Sequence, residues 1–191
     1  MVMLPTVGLG FVIAVLRSRL GRRRLSPPRL HCSGLVPVAF LPQAVAFYLP
    51  GLFRLPDVWA PVGLITSQMG LLVFAGVNRR HAGVRVMGIG LALNMLVITL
   101  NGGWMPISPE TLVRLEPLTT AEGWSVGSRY GTSKDMVLPT TQTHLPWLAD
   151  RFVLPLEGPC RVAFSIGDVI VVLGALRFTW ALVGRPHDAH R

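Results

Sequence analysis

Residues 58–77 read VWAPVGLITSQMGLLVFAGV, twenty consecutive positions without a formal charge. A helix needs about 20 predominantly apolar residues to cross the hydrocarbon core of a bilayer. This stretch has that length, and near its centre only Thr66, Ser67 and Gln68 are polar. Working outward, four further apolar runs come close to the same requirement: 2–16, 35–53, 86–100 and 166–183. Together the five runs take up about half of a 191-residue chain, more continuous apolar sequence than a soluble domain of this size can bury. The expected fold is an all-α membrane protein, a bundle of about five transmembrane helices with one external loop-rich segment.

Composition agrees. Hydrophobic residues make up 51% of the chain and charged residues 14%, against roughly 25% charged in soluble domains. The net charge is +9, and of the 18 basic residues all but Lys134 are arginine, a bias that fits a GC-rich genome. Such a charge invites a nucleic-acid reading. The arginines instead sit beside the apolar runs, where they set orientation, so no nucleic-acid partner is expected. The first run is not read as a cleavable signal peptide, because its positive charges follow it and no small-residue cleavage motif is present.

Arginine and lysine in short loops mark the cytoplasmic side. The connection at 17–34 carries Arg17, Arg19, Arg22, Arg23, Arg24 and Arg29 with no acid. The third connection holds Arg79 and Arg80, with Arg85 beside them. Between these, the second turn has Arg54 against Asp57, and the long segment before the last run mixes both signs. This alternation implies an N-terminus outside, an Arg-rich inner face and a C-terminus inside, with Arg177 and Arg185 in agreement. The chain then divides into four spans over 1–100, an external segment over 101–164, and a final span with its tail over 165–191. Cys32 and Cys160 fall on opposite sides, which rules out a disulfide between them.

Within the external segment, Ser108-Pro109-Glu110 spells a helix start: a capping serine, proline in the first turn and an acid near the positive end of the dipole. Residues 134–138 and 152–154 are β-like, and a hairpin over the outer mouth of the bundle is expected. Ser165-Ile166-Gly167-Asp168 has the form of a capping box that opens the last span.

The candidate polar site consists of Gln43, Gln68, Asn94, Asn101 and Asp168. Gln43, Gln68 and Asn94 lie near the middle of three consecutive runs. A carboxamide unpaired in hydrocarbon is costly, so the three should face inward and pair. The plain reading is interhelical glue worth about 0.6–2 kcal/mol per bond. The functional one is a midplane site for a small molecule or ion. Asn101-Gly102-Gly103 reads as a C-terminal stop or as a backbone nest. Asp168 is the one acid inside a run; it is a cap, or with Asn101 a proton or cation site. The small pairs Gly10/Ala14 and Gly88/Ala92 suit close helix contact, and Pro37, Pro42 and Pro50 can kink the second run. The six arginines of 17–34 could contact anionic lipid headgroups. His144 could approach Asp150 as a loop contact, while His187 and His190 lie in a polar tail.

From Asn94 onward the chain resembles the bacterial domain-of-unknown-function family 5317. The resemblance is carried by LNM at 93–95, NGGWMPISPE at 101–110, THLPWLAD at 143–150 and VAFSIGDV at 162–169. It implies a small polytopic protein of a bacterial membrane and carries no activity with it.

Kinase and zinc-peptidase motifs are missing from the sequence, and no cofactor or metal is expected. The first expectation is therefore a non-enzymatic accessory or scaffold component with membrane lipids and a membrane protein as partners. The second is a small transporter or channel-like protein using the mid-membrane polar residues. A membrane-embedded enzyme stands third. A polar cavity joining Gln43, Gln68, Asn94 and Asp168 would favour transport, and a filled interior with an apolar outer face would favour a partner protein.

Overall fold

The computed structural model describes residues 28–48, 56–118, 120, 123–154 and 161–181. The run at 2–16, Gly10 and Ala14, the arginines at 17, 19, 22, 23, 24, 54 and 185, Pro50, Cys160, His187 and His190 lie outside the described residues.

The described chain is mostly helical. Helix α1 spans Leu35–Tyr48, α2 Trp59–Val77 and α3 Ala82–Leu100. The short α4 covers Pro109–Leu115, and α5 covers Ile166–Ala181. Among the described residues, α2 and α3 are long and apolar enough to cross a membrane, and α1 is a shorter apolar helix. The third helix starts four residues before the expected position 86. Arg85 falls inside this helix with its side chain exposed, so a charge there does not interrupt it.

Helix α1 lies along α2, α2 touches α3, and α3 lies along α5. Small residues seven apart make the close approaches of α1 to α2 and of α3 to α5. A Cβ on Gly63 or Gly70 of α2 would lie 3.0 Å from the Cβ of Ala46 or 2.7 Å from that of Ala39 on α1. On α3, a Cβ at Gly83 would meet the Phe178 backbone nitrogen at 2.5 Å, and one at Gly90 the Gly167 carbonyl at 2.5 Å. The reciprocal glycines of α5 are Gly167 and Gly174, the latter 2.5 Å from the Met87 nitrogen by the same construction. Residues seven apart return to one helix face, which suits long, nearly aligned contacts. Of the expected pair Gly88/Ala92, Gly88 makes a close approach to α2, a Cβ there lying 3.1 Å from that of Ala75, while Ala92 is exposed.

The two ends of the bundle differ. At one end His31 and Asn78 are joined, the His31 N–H donating to Asn78 Oδ1 (2.8 Å) and Asn78 Nδ2 to the His31 carbonyl (2.9 Å). Arg29, Arg79, Arg80, Arg85 and Arg177 belong to this end, with no acid among the described residues. The other end carries the segment between α3 and α5. There β1 (Met105–Ile107) pairs in parallel with β2 (Asp135–Val137), while β3 (Phe152–Val153) pairs antiparallel with β4 (Ala163–Phe164). The stretch at 134–138 thus has β1 as its partner. No pattern predicted β1, a three-residue strand that is buried throughout and contains a proline.

Arg129 fastens this cover to the helices. Its guanidinium lies 4.9 Å from the Phe47 ring centroid and 5.4 Å from that of Trp104, and donates to the Ser133 and Thr132 carbonyls (both 2.7 Å). It also reaches Asp57, just before α2, at 2.7 Å. Beneath it Phe47, Leu64, Ile98, Met105 and Leu148 form one core, and Ile107, Leu112 and Val137 form a smaller one inside the cover.

Candidate functional site

A cavity of about 310 Å³ lies between the helices and the cover, at the small end of the ~300–1,000 Å³ range of ligand pockets. Four of the five residues singled out from sequence line it: Gln43, Gln68, Asn94 and Asp168. From the cover come Lys134, Asp135 and Asp150, and the floor is apolar.

On the α3–α5 side the polar groups are tightly satisfied. Asn94 Nδ2 donates to Asp168 Oδ1 (2.8 Å), and Ser165 Oγ donates to Asn94 Oδ1 (3.0 Å). The capping box closes in both directions: the Asp168 N–H donates to Ser165 Oγ (3.1 Å) and the Ser165 N–H to Asp168 Oδ2 (3.2 Å). The bare backbone of Gly167 makes room for Asn94, whose Oδ1 lies 2.0 Å from where a Cβ would stand.

The α1–α2 side is looser. Gln43 Oε1 accepts from Ser67 Oγ (3.1 Å). Gln68 is 7% exposed, and its Oε1 is buried without a protein donor. The three carboxamides therefore share a cavity wall without bonding to one another. Asn94 is taken by Asp168 and Ser165, and Gln43 by Ser67.

Asn101 stands apart from this group. Its Nδ2 donates to the Val97 and His144 carbonyls (2.8 and 3.0 Å), and its Oδ1 accepts from the His144 N–H (2.9 Å). It stitches the end of α3 to the cover and does not pair with Asp168. Gly102 and Gly103 follow at positive φ (72° and 88°), and the Gly103 N–H returns to the Ile98 carbonyl at 2.8 Å. That geometry is a helix stop. His144 is held through its backbone, and Asp150 takes a different partner, Lys134, instead of the expected histidine.

That ion cluster is the part sequence reasoning missed. The Lys134 ammonium donates to Asp150 Oδ2 and to Asp135 Oδ1 (2.9 Å). Strand β1 assembles it: Met105 pairs with Asp135 on one flank, and the Asp150 N–H donates to the Pro106 carbonyl (3.1 Å) on the other. Two residues sixteen apart in sequence thus meet across one strand. The signal was available, since Lys134 is the only lysine in the chain.

Asp150 is 1% exposed, and its Oδ1 has no protein donor. Burial, with the carboxylates of Asp135 and Asp168, pushes its carboxyl up to about 8, although Lys134 pulls the other way. Burial would lower Lys134, but Asp135 and Asp150 hold its ammonium above the ordinary lysine value. Asp150 also lines a second cavity of about 460 Å³ walled by residues of the cover, among them Ser108, Glu110, Arg114 and Arg151. One residue thus forms part of both walls. Among the described residues no three His, Cys, Asp or Glu side chains are grouped to hold a metal ion.

A family model described as "Family of unknown function (DUF5317)" matches residues 29–180. An uncharacterised protein of Thermotoga maritima is 28% identical over 132 residues, covering 66% of this chain and 71% of that protein. No solved structure gives a significant match.

Proposed function

The chain belongs to the family of unknown function DUF5317, and from that premise we propose that it is a multi-pass membrane protein that holds a small solute in the cavity under its external cover. It acts as a binding or transport component of a bacterial cytoplasmic membrane. The observation that carries this reading is the cavity itself, lined by Gln43, Gln68, Asn94 and Asp168 from the helices and by Lys134 and Asp150 from the cover.

Several features support the membrane setting. Large apolar side chains are exposed along the helices, among them Val62, Met69 and Val73 of α2, Ile89 and Leu96 of α3, and Leu173 and Trp180 of α5. Exposed hydroxyls return to their own helix: Thr66 donates to the Val62 carbonyl (2.7 Å) and Thr99 to that of Met95 (2.8 Å), as lipid-facing hydroxyls must. The arginine-only end suits the cytoplasmic side, with the N-terminus outside and C-terminus inside. Five spans follow if the run at 2–16 adds one and α1 and α5 continue along their apolar runs. The arginines of the first connection would then face anionic headgroups.

An accessory protein would also use an apolar outer surface, but it does not require a polar chamber inside. Asp150, shared by the two cavities, supports a route through the cover inward. The test is a thermal-stability screen of the protein in lipid nanodiscs against small amines, amides, amino acids, carboxylates and sugars. A solute that stabilises the native protein but not Gln68→Met supports the reading. No stabilising solute, with a stoichiometric protein partner co-purifying from native membranes, returns it to the accessory role. Accessibility of tags at both termini tests orientation, and a cytoplasmic N-terminus would overturn it.

A further inference from the structure

We infer that the cavity selects a small organic cation, an alkylammonium-type ligand with N–H groups at one end and a short apolar group at the other, an inference that rests on the solute reading above. Charge points first in that direction. Three carboxyl groups, Asp135, Asp150 and Asp168, face the cavity against the single ammonium of Lys134. Even with one carboxyl protonated, two carboxylates remain against one cation, and a low-dielectric wall strengthens their field. Lys134 is already bonded by two of the acids, so an anionic ligand would compete with carboxylates that cannot leave.

Hydrogen bonding gives the second, independent indication. Two buried wall residues have side-chain oxygens without a protein donor, Gln68 Oε1 and Asp150 Oδ1; the amide oxygen of Gln68 is an acceptor at every pH, and Asp150 Oδ1 becomes one when its carboxyl is ionised. Gln68 is 7% exposed and Asp150 1%. A buried acceptor without a donor is costly, and a ligand bringing N–H groups removes that cost. The apolar floor, including Phe47, Leu64 and Ile98, gives the ligand's other end a dry surface. A bare metal ion is a poor match, since the acids are not grouped for coordination.

The experiment is equilibrium binding to the full chain in nanodiscs, using butylammonium, ammonium, tetramethylammonium, butanol and butyrate chosen to separate charge, N–H groups and apolar bulk. Butylammonium is expected to bind at least tenfold more tightly than butanol, butyrate or ammonium. Tetramethylammonium, a cation without N–H groups, should be at least fivefold weaker than butylammonium. Gln68→Met keeps the volume and removes the acceptor, and should weaken butylammonium at least fivefold. Should that variant misfold, Asp135→Asn, which removes one charge with little change of shape, should weaken it by a similar factor. Butanol or butyrate binding as tightly as butylammonium would sink the cation inference while leaving the solute reading standing. Equal binding of tetramethylammonium would remove the N–H requirement and overturn the inference as stated. Failure of every probe to bind would overturn both.

Discussion

Alanine in place of Asn94 should loosen the joint between α3 and α5, and the size of the effect can be worked from two bonds. Asn94 donates to the Asp168 carboxylate at 2.8 Å and accepts from Ser165 Oγ at 3.0 Å. A bond to a charged group contributes about 1.5–3 kcal/mol, and a neutral bond between membrane helices averages about 0.6 kcal/mol. Asn94→Ala is therefore expected to cost about 2–4 kcal/mol, with some variation from how well the helices close over the lost side chain. A double-mutant cycle isolates the pair: Asn94→Ala with Asp168→Ala should show a coupling of about 1.5–3 kcal/mol. The parallel cycle of Asn101→Ala with Asp168→Ala should be additive within about 0.5 kcal/mol, because Asn101 bonds to Val97 and His144 instead. Steric trapping in mixed micelles reads both cycles. Coupling at Asn101 equal to or above that at Asn94 would refute the pairing.

Glycine positions should respond with opposite signs. Gly174→Ala drives a Cβ to 2.5 Å from the Met87 nitrogen and should cost about 1–3 kcal/mol, whereas Gly76→Ala meets nothing within 4 Å and should stabilise α2 by about 0.5–1 kcal/mol in the same unfolding assay. Asp150 predicts a pH trend. Its carboxyl titrates at about 8 in the fold against an ordinary 3.8, so between those values the folded chain holds a proton that the unfolded chain has lost. The contribution of Asp150 to stability should thus be fully present below about pH 4, shrink as pH rises towards 8 and level off above, and Asp150→Asn should remove that component from a Tm series across the range. Arg129→Ala strips the cover of its ring contacts and carbonyl bonds and should cost about 2–4 kcal/mol. Arg129→Lys should fail to restore stability, because an ammonium cannot span that planar arrangement; full rescue by lysine would count against it.

Legibility followed the range of the interactions. Asn101-Gly102-Gly103 could be read as a stop, because a left-handed glycine after an apolar run is a local necessity. Ser165 and Asp168 could be read as a cap, since both bonds close within four residues. The side chains that would meet across helices were less readable. Gln43, Gln68 and Asn94 were grouped by depth, and they do line one cavity, yet depth says nothing of rotation about each helix axis. Rotation is set by the seven-residue spacing of Gly63/Gly70, Gly83/Gly90 and Gly167/Gly174, a pattern visible in the sequence once the contacts are known.

The sequence by itself determined the apolar helices, the acid-free, arginine-rich first connection, the capped start of α5 and the family, because each depends on composition or on neighbours a few residues apart. The tertiary structure alone decided the partners of the polar residues. It gave Asp168 to Asn94 and not to Asn101, and Asp150 to Lys134 and not to His144. It also brought Lys134, Asp135 and Asp150 over the helices, since β1, a strand too short and too proline-interrupted to announce itself, joins their two segments. A buried polar group takes whichever donor the packing brings within about 3 Å, and that choice is made by helix rotation and strand pairing.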